Sequence, residues 1–274
     1  MATALASQVA LAVLDFSGTL SPGAARFGAA ARLDDELVRS GLADLGIATP
    51  DVFWDALVNP TWQRGSTTTD GYVTVLTDAA VAYLTDRGGA TDRDVVRTAV
   101  TRFAHRYFAA STIAAPWWPW LRRVAGLPAV TAVIATDHYA DATQRVLDQL
   151  RAADLPAAGV RGARPGTSVL VANSADVGHH KDTRAFWQAV AAAVGDVRRV
   201  VVIDDFGANE PGADAYAAAG DVVRRRRATA AVLTDVFRAD VTEYPFVVSE
   251  DDDLAAAIDR VGVLAVAALS RSDR

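Results

Sequence analysis

Polar residues that could act as nucleophiles, hydroxyl donors or metal ligands follow three apolar runs of the sequence. Asp15 follows VALAVL, Thr136 ends AVTAVIAT, and Asp204 and Asp205 follow RRVVVI. In open α/β sheets, ligands bind at the carboxyl ends of the strands. Clustered carboxylates repel one another unless a hard cation holds them, and oxygen ligands in small number suit Mg²⁺. The pattern therefore predicts a carboxylate-rich site with a hydroxyl opposite.

Lysine usage gives an independent indication. Among 27 lysine and arginine residues, Lys181 is the only lysine. A compact ammonium on a flexible stem fits beside both a carboxylate and a phosphate in a tight pocket, whereas a planar guanidinium differs in shape. We expect Lys181 to open the helix DTRAFWQAV, just upstream of RRVVVIDD. This position favours a role in the site.

The elements that must position these residues follow from the periodicity. After residue 117, strand-like runs alternate with helical patterns, which is typical of a parallel sheet with helices on both faces. Residues 23–116 show helical spacing throughout. We predict an α/β fold with a Rossmann-like parallel sheet, formed by residues 1–22 and 117–274, and an all-helical insertion at 23–116. We expect PWWPWL to be a hinge with interdomain packing and the arginine run at 224–227 to be a solvated strand end.

Composition limits the partners. The chain has 274 residues, 51% of them hydrophobic, a net charge of -6 and no cysteine. The negative charge gives no general attraction to nucleic acid or anionic membranes, so neither is an expected partner. The sequence has no run of about 18 apolar residues that could span a bilayer. The N-terminal apolar stretch has no basic region before it, so we interpret it as the first strand of a cytoplasmic protein. The oligomeric state stays open.

Four segments, in order, resemble the motifs of the haloacid dehalogenase-like (HAD) hydrolase superfamily. LDFSGTL resembles the first motif, whose leading aspartate is the nucleophile, and IAT, ending at Thr136, resembles the second. HHKDTRAFWQAV resembles the third motif, which carries the lysine, and VVVIDDFGANEPGADAYAAAG resembles the fourth. The helical insertion resembles the cap domain that many members carry after the first motif.

The resemblance implies a mechanism and a set of ligands. Asp15 would attack a phosphoryl group to form an aspartyl-phosphate that water then cleaves. Thr136 and Lys181 would hold the transferring oxygens of a small phosphorylated substrate. Asn209 is assigned to substrate binding with them and would also orient the loops with Thr19. The expected Mg²⁺ ligands are Asp15, the Ser17 backbone carbonyl, Asp205 and Asp204, the last bound directly or through water.

Ser17 departs from the family pattern, since phosphatases of the family carry there an aspartate that protonates the leaving oxygen. A serine hydroxyl cannot replace a carboxyl group as general acid. The first interpretation is a Mg²⁺-dependent phosphohydrolase. Either its substrate has a good leaving group, or another residue, such as His138, supplies the acid. The alternatives are a 2-haloacid dehalogenase, which needs no such acid, and a non-catalytic protein that binds a phosphorylated ligand. A phosphonate hydrolase would need a cap lysine, and this insertion has none.

Arg64 and the adjacent histidines are not expected to belong to the site. Arg64 in NPTWQRGSTTTDGY could offer a fork for a second anionic group, but we expect an ordinary exposed arginine. His179 and His180 are adjacent in sequence, and neighbouring side chains of a regular element point in different directions, so no metal is assigned to them.

Overall fold

A six-stranded, all-parallel sheet forms the centre of the protein in a computed structural model. The structure describes residues 9–88, 92–164, 167–214, 217, 219–249 and 252–270. The strand order is β3-β4-β2-β1-β5-β6, which places the first strand in the middle. The strands are β1 (Val9–Leu14), β2 (Val130–Thr136), β3 (Ala157–Gly159), β4 (Val169–Asn173), β5 (Val197–Asp204) and β6 (Asp240–Pro245).

Helices make up most of the remaining described chain. Before β2 they are α1 (Pro22–Phe27), α2 (Ala30–Ser40), α3 (Pro50–Val52), which continues as a π-helical segment Phe53–Val58, α4 (Trp62–Gly65), α5 (Tyr72–Asp86), α6 (Arg93–Ala110) and α7 (Trp117–Ala125). After β2 they are α8 (Asp141–Ala152), α9 (Ser174–Val177), α10 (Arg184–Val194), α11 (Ala219–Phe237) and α12 (Leu254–Leu269). Short 3₁₀ turns occupy Ala43–Leu45 and Val160–Gly162.

Successive side chains of a strand point to opposite sides of the sheet, and helices pack over both sides, so both faces are buried. In β1, Ala12 and Leu14 pack in one apolar cluster with side chains of α7, α8 and α12. Leu11 and Val13 pack in a second cluster with side chains of α10 and α11. Near-continuous apolar runs are what a strand buried on both faces requires. The predicted α/β class, with helices on both faces of a parallel sheet, is confirmed.

Between β1 and α7, the described residues form no named strand, and helices α1 to α6 enclose an apolar cluster of their own. Phe27, Leu37, Phe53 and Phe103 belong to this cluster, which Tyr139 joins from the loop after β2. We call residues 22–110 the insertion. An ion pair joins the half-buried Arg106 on α6 to the buried Glu36 on α2.

Three predictions about the other elements need correction. The arginine run at 224–227 lies inside α11 and is no strand end, and the Arg225 side chain is buried and donates to the Phe206 carbonyl. PWWPWL begins α7 and is helical, and Trp117 packs in the sheet cluster and donates to the Thr19 carbonyl, so the segment belongs to the core of the sheet. The alternation of strands and helices also predicts a helix at EPGADAYAAAG, residues 210–220, but residues 210–214 form turns and bends, and α11 begins only at Ala219. Residues 215, 216 and 218 lie outside the described part.

Among the described residues, no helix is both long enough and apolar enough to cross a membrane.

Candidate active site

The carboxyl ends of three neighbouring strands bring the predicted residues together. Leu14 in β1 pairs with Ile134 in β2 and with Ile203 in β5, so the three strands end at the same level. Asp15 comes directly after β1, Thr136 is the last residue of β2, and Asp204 and Asp205 lie at the end of β5. All four side chains are buried and line one cavity.

Lys181 reaches into this cluster from the turn between α9 and α10. Its Nζ donates to Asp15 Oδ1 at 2.5 Å and to Asp204 Oδ2 at 3.0 Å, and the side chain is buried. The backbone N–H of Lys181 donates to Asp137 Oδ1 at 2.9 Å, which fixes the turn against the end of β2. The lysine therefore precedes α10, which begins at Arg184, and does not open the helix as predicted.

Burial changes the acidity of the carboxyl groups at the strand ends. It raises the pKa of Asp15 well above its usual range, although the Lys181 ammonium acts in the opposite direction. Burial, with the nearby Asp204 charge, raises the pKa of Asp205 to about 8. Several carboxylates that share a buried site disfavour one another's charge, so a second cation besides Lys181 would stabilise the ionised cluster.

The same carboxylates have the arrangement of a cation site. Asp15, Asp204 and Asp205 can each offer an oxygen such that the three atoms lie within 4.8 Å of one another. Asp15 Oδ2 is buried and has no hydrogen-bond partner among the described residues. A buried carboxylate oxygen without a partner is costly unless an ion or a water satisfies it. The residues present therefore fit a hard divalent cation such as Mg²⁺.

The loop after β1 approaches Asp205 so closely that it requires glycine. Gly18 has a φ of +75°, and a Cβ there would lie 2.5 Å from Asp205 Oδ2. Thr19, one residue on, accepts a hydrogen bond from the Asp205 N–H at 3.0 Å through its hydroxyl oxygen. The Gly-Thr pair thus positions the third carboxylate against the nucleophile loop.

Glu210 is a site residue that sequence reasoning missed. Ser17 Oγ donates to Glu210 Oε1 at 2.6 Å, and both residues line the cavity with Asp15. Burial raises the pKa of Glu210 to about 8, while the hydrogen bond from Ser17 acts in the opposite direction. The only sequence signal was a glutamate in the loop after the fourth motif, 193 positions from Ser17. No local pattern predicts a contact over that separation.

The hydroxyl of Thr136 and the amide of Asn209 have different environments. Thr136 Oγ1 is buried and has no hydrogen-bond partner among the described residues, so it is free to donate to a ligand oxygen. Asn209 Nδ2 instead donates to the Gly18 and Phe246 carbonyls, and its Oδ1 accepts from the Val248 N–H. Asn209 is not among the cavity-lining residues, so its geometry supports loop orientation and not substrate binding.

His138 lines the cavity but is poorly suited to donate a proton. Its Nε2 lies 2.8 Å from the Tyr107 hydroxyl, and its backbone N–H donates to Ser174 Oγ. Burial lowers the pKa of His138 to about 4. The imidazole is therefore neutral at pH 7, which weakens the earlier suggestion that it replaces the missing acid.

The cavity has two chemically different walls, together enclosing about 90 Å³. We call the polar side, from the strand ends and their loops, the core wall. The other side is the insertion wall, and its larger side chains are Phe27, Leu33, Phe53, Trp54, Val58, Trp62, Tyr72, Phe103 and Tyr107. The enclosed volume is small, so the cavity suits a small ligand.

Arg64 lies outside this lining, as expected. Its side chain is two-thirds exposed and pairs with Asp70 at 2.8 Å on the surface of the insertion.

Hydrogen bonds join the insertion to the core around the cavity. Ser66 Oγ lies 2.7 Å from His180 Nε2, and the Ser66 carbonyl accepts from Ser174 Oγ at 2.6 Å. The Tyr72 N–H donates to Asp141 Oδ2 at 2.6 Å. The insertion therefore covers the strand-end site in this structure.

Three solved structures resemble the chain. A 2-haloacid dehalogenase from Pseudomonas syringae pv. Tomato is 14% identical, with a TM-score of 0.53 over 94% of this chain and 99% of that one. A HAD-like family hydrolase from Porphyromonas gingivalis is 13% identical, with a TM-score of 0.46 over 93% and 98% of the two chains. A magnesium-bound HAD hydrolase from Bacillus subtilis is 14% identical, with a TM-score of 0.40 over 72% and 78%.

No protein-family model and no curated protein matches the sequence. The likeness to the Pseudomonas syringae enzyme covers almost the whole of both chains. It agrees with the order of the four sequence motifs and with the placement of their residues at adjacent strand ends. The chain therefore has the fold of the haloacid dehalogenase-like hydrolases.

Proposed function

We propose that the protein is a Mg²⁺-dependent hydrolase that transfers a phosphoryl group from a small substrate to Asp15 and then to water. One observation carries this proposal: a buried aspartate held by the only lysine of the chain lies among two further carboxylates, with an unpartnered hydroxyl on the next strand. An activated carboxylate beside groups that can hold a transferring oxyanion is the arrangement that nucleophilic catalysis needs.

The reaction has two steps on this wall. The Asp15 carboxylate attacks phosphorus, the bond to the leaving oxygen breaks, and an aspartyl-phosphate forms. Water then attacks phosphorus, which releases phosphate and restores Asp15. Lys181 and the Thr136 hydroxyl would bind the phosphoryl oxygens in both steps, and Lys181 also favours the ionised form of Asp15.

Mg²⁺, when bound, would offset the negative charge of nucleophile and phosphate. Asp15, Asp205 and the Ser17 backbone carbonyl are the proposed ligands, with Asp204 direct or through water. Lys181 bonds one oxygen of Asp15 and one of Asp204, and the other oxygen of Asp15, Oδ2, has no hydrogen-bond partner among the described residues and is available to the ion.

The insertion is proposed to act as a cap. It contributes a complete wall of the cavity, and hydrogen bonds through Ser66 and Tyr72 hold it on the core. Excluding water from the cavity strengthens the electrostatic interactions inside it, and the cap must open to release phosphate.

A dehalogenase that acts on 2-haloacids is the second candidate, favoured by Ser17. In that reaction a carboxylate displaces halide from carbon, and halide leaves without a proton. Residue 17 is a serine, so this position itself supplies no carboxyl group to protonate a leaving oxygen. The three clustered carboxylates favour the phosphohydrolase, because displacement of halide has no need of a metal.

Two assays distinguish these candidates. We expect the protein to release phosphate from acetyl phosphate and 4-nitrophenyl phosphate, both of which have good leaving groups. This phosphate release should stop when EDTA removes the metal. Halide release from 2-chloropropionate should be absent. Metal-independent halide release without phosphate release would overturn the proposal in favour of the dehalogenase.

A further inference from the structure

Among the described residues that line the cavity, the insertion wall has no charged side chain. Six of its aromatic side chains form a connected set of ring contacts: Phe27, Phe53, Trp54, Tyr72, Phe103 and Tyr107. Phe27 meets Phe103 edge to face with ring centroids 5.4 Å apart, and Phe53 lies 4.8 Å from Phe103.

The core wall offers no cation for a second anionic group. Lys181 is the only lysine or arginine among the described lining residues, and it already bonds Asp15 and Asp204. The other charged lining groups are carboxylates, including Glu210 and Asp214. A substrate with a second phosphate or a carboxylate would bury that charge beside carboxylates and aromatic rings, which is strongly unfavourable.

The wall also has an unused hydrogen-bond donor. Trp54 is 8% exposed, and its Nε1–H has no hydrogen-bond partner among the described residues. A buried donor without a partner is rare in a folded protein. A ring face or an ether-like oxygen of a bound group would satisfy it, whereas a saturated alkyl group would not.

We infer that the substrate is a phosphate monoester whose leaving group is small, uncharged and aromatic. Rings pack edge to face against other rings, which Phe27, Phe53 and Phe103 offer. Ser17, as a hydroxyl bonded to Glu210, supplies no strong acid, and a phenolate leaves without a proton more readily than an alkoxide. This inference rests on the proposed phosphohydrolase.

Two pairs of substrates separate the effect of the insertion wall on kcat/KM from the effect of the acidity of the leaving group. Benzyl and ethyl phosphate both expel alkoxides, so the ring is their main difference, and we expect kcat/KM to be about tenfold to a hundredfold higher for benzyl phosphate. Phenyl and 4-carboxyphenyl phosphate differ by one carboxylate, which makes the second compound the better leaving group. We nevertheless expect it to react at least about tenfold more slowly because its charge has no partner.

A matched pair of tryptophan variants locates the effect. Trp54→Leu should reduce the benzyl-to-ethyl ratio of kcat/KM several-fold, and Trp54→Phe should restore part of it. Trp118 lies outside the cavity and packs on the sheet cluster, so Trp118→Leu should leave the ratio unchanged. Circular dichroism and thermal unfolding of each variant show that the fold is retained.

The outcomes separate this inference from the function on which it rests. The inference alone would be overturned if benzyl and ethyl phosphate reacted at equal rates. It would also be overturned if 4-carboxyphenyl phosphate or choline phosphate reacted faster than phenyl phosphate. Hydrolysis of acetyl phosphate would still support the phosphohydrolase in that case. No hydrolysis of acetyl phosphate or of any ester would overturn both.

Discussion

The two walls of the cavity differ in chemistry and in the way the chain builds them. The core wall carries Asp15, Thr136, Lys181 and Asp205, whose polar atoms lie at strand ends or in the turns beside them. The insertion wall carries aromatic and aliphatic side chains from several separate helices. A short motif can specify the first wall, whereas only the packing of the helices assembles the second.

This difference assigns the walls different parts of the proposed reaction. Groups that form bonds or bind developing charge must be fixed by rigid elements, and strand ends provide that rigidity. We propose that the insertion wall selects among substrates, since most of its side chains are apolar or aromatic and, among the described lining residues, none is charged. Changes in the core wall should therefore reduce turnover of every substrate, and changes in the insertion wall should alter preference among substrates.

The largest effect is expected from Asp15→Asn. Because the amide cannot form the aspartyl-phosphate, kcat/KM should fall by at least about 10⁴-fold on all phosphate esters. Steady-state assays of the purified variant measure this, with Asp34→Asn on the exposed surface of α2 as the charge-matched control. Turnover near the wild-type rate in folded Asp15→Asn would remove the nucleophile assignment.

A smaller but still large effect is expected from Lys181→Arg. The ammonium donates to Asp15 and Asp204 from a buried position, and a planar guanidinium does not reproduce that geometry. We expect kcat to fall by about 10²–10³-fold for acetyl, aryl and alkyl phosphates alike. A wild-type rate in this variant would show that the positive charge alone suffices. A loss of activity confined to aryl esters would contradict the proposal that changes in the core wall affect every substrate.

The third effect concerns the stability of the fold at low pH and depends on His138, which hydrogen-bonds the insertion-wall residue Tyr107 from the core side of the cavity. His138 has a pKa of about 4 in the fold against about 6.5 when unfolded, so only the unfolded state gains its proton as the pH falls between these values. The contribution of His138 to stability should be fully present above pH 6.5 and fall by about 2 kcal/mol between pH 8 and pH 5.

The His138 contribution can be isolated by substitution. The imidazole lies beside Tyr107 of the insertion and Tyr139 of the core. Burial lowers its pKa, and the Asp141 charge acts in the opposite direction. Urea unfolding of the wild type and of His138→Asn at pH 8 and pH 5 gives the difference, because other groups titrate in both proteins. Equal pH dependence in the two proteins would contradict the assignment.

The smallest effect is expected from Gly65→Ala, at the end of α4. A Cβ there would overlap the buried ring of Tyr139, so the insertion must shift against the core. We expect a loss of about 1–3 kcal/mol in stability and a higher KM with little change in kcat. Gly162→Ala is the matched control, since a Cβ at that position meets nothing within 4 Å. A fall in kcat without a change in KM would contradict the division between the walls.

The strand-end positions of the core wall could be predicted from the sequence because the information that specifies them is local. An apolar run that ends in a polar residue predicts both a strand and the position of its tip, and parallel strands bring those tips together. Asp15, Thr136 and Asp204 were placed in this way. Glu210 and Trp54 were not, because their positions depend on contacts between segments far apart in the chain. The arginine run was misplaced because four consecutive charged residues have no period, and α11 buries only Arg225 among them.

The central proposal is that Asp15 carries the phosphoryl group during turnover, and mass spectrometry of rapidly quenched enzyme tests it most directly. Enzyme mixed with acetyl phosphate and Mg²⁺ and quenched in acid should contain one added phosphoryl group, located on the peptide that includes Asp15. The Asp15→Asn variant should remain unmodified under the same conditions. Phosphate release by wild-type enzyme with Asp15 unmodified at every quench time, or with the phosphoryl group on another residue, would contradict the proposal.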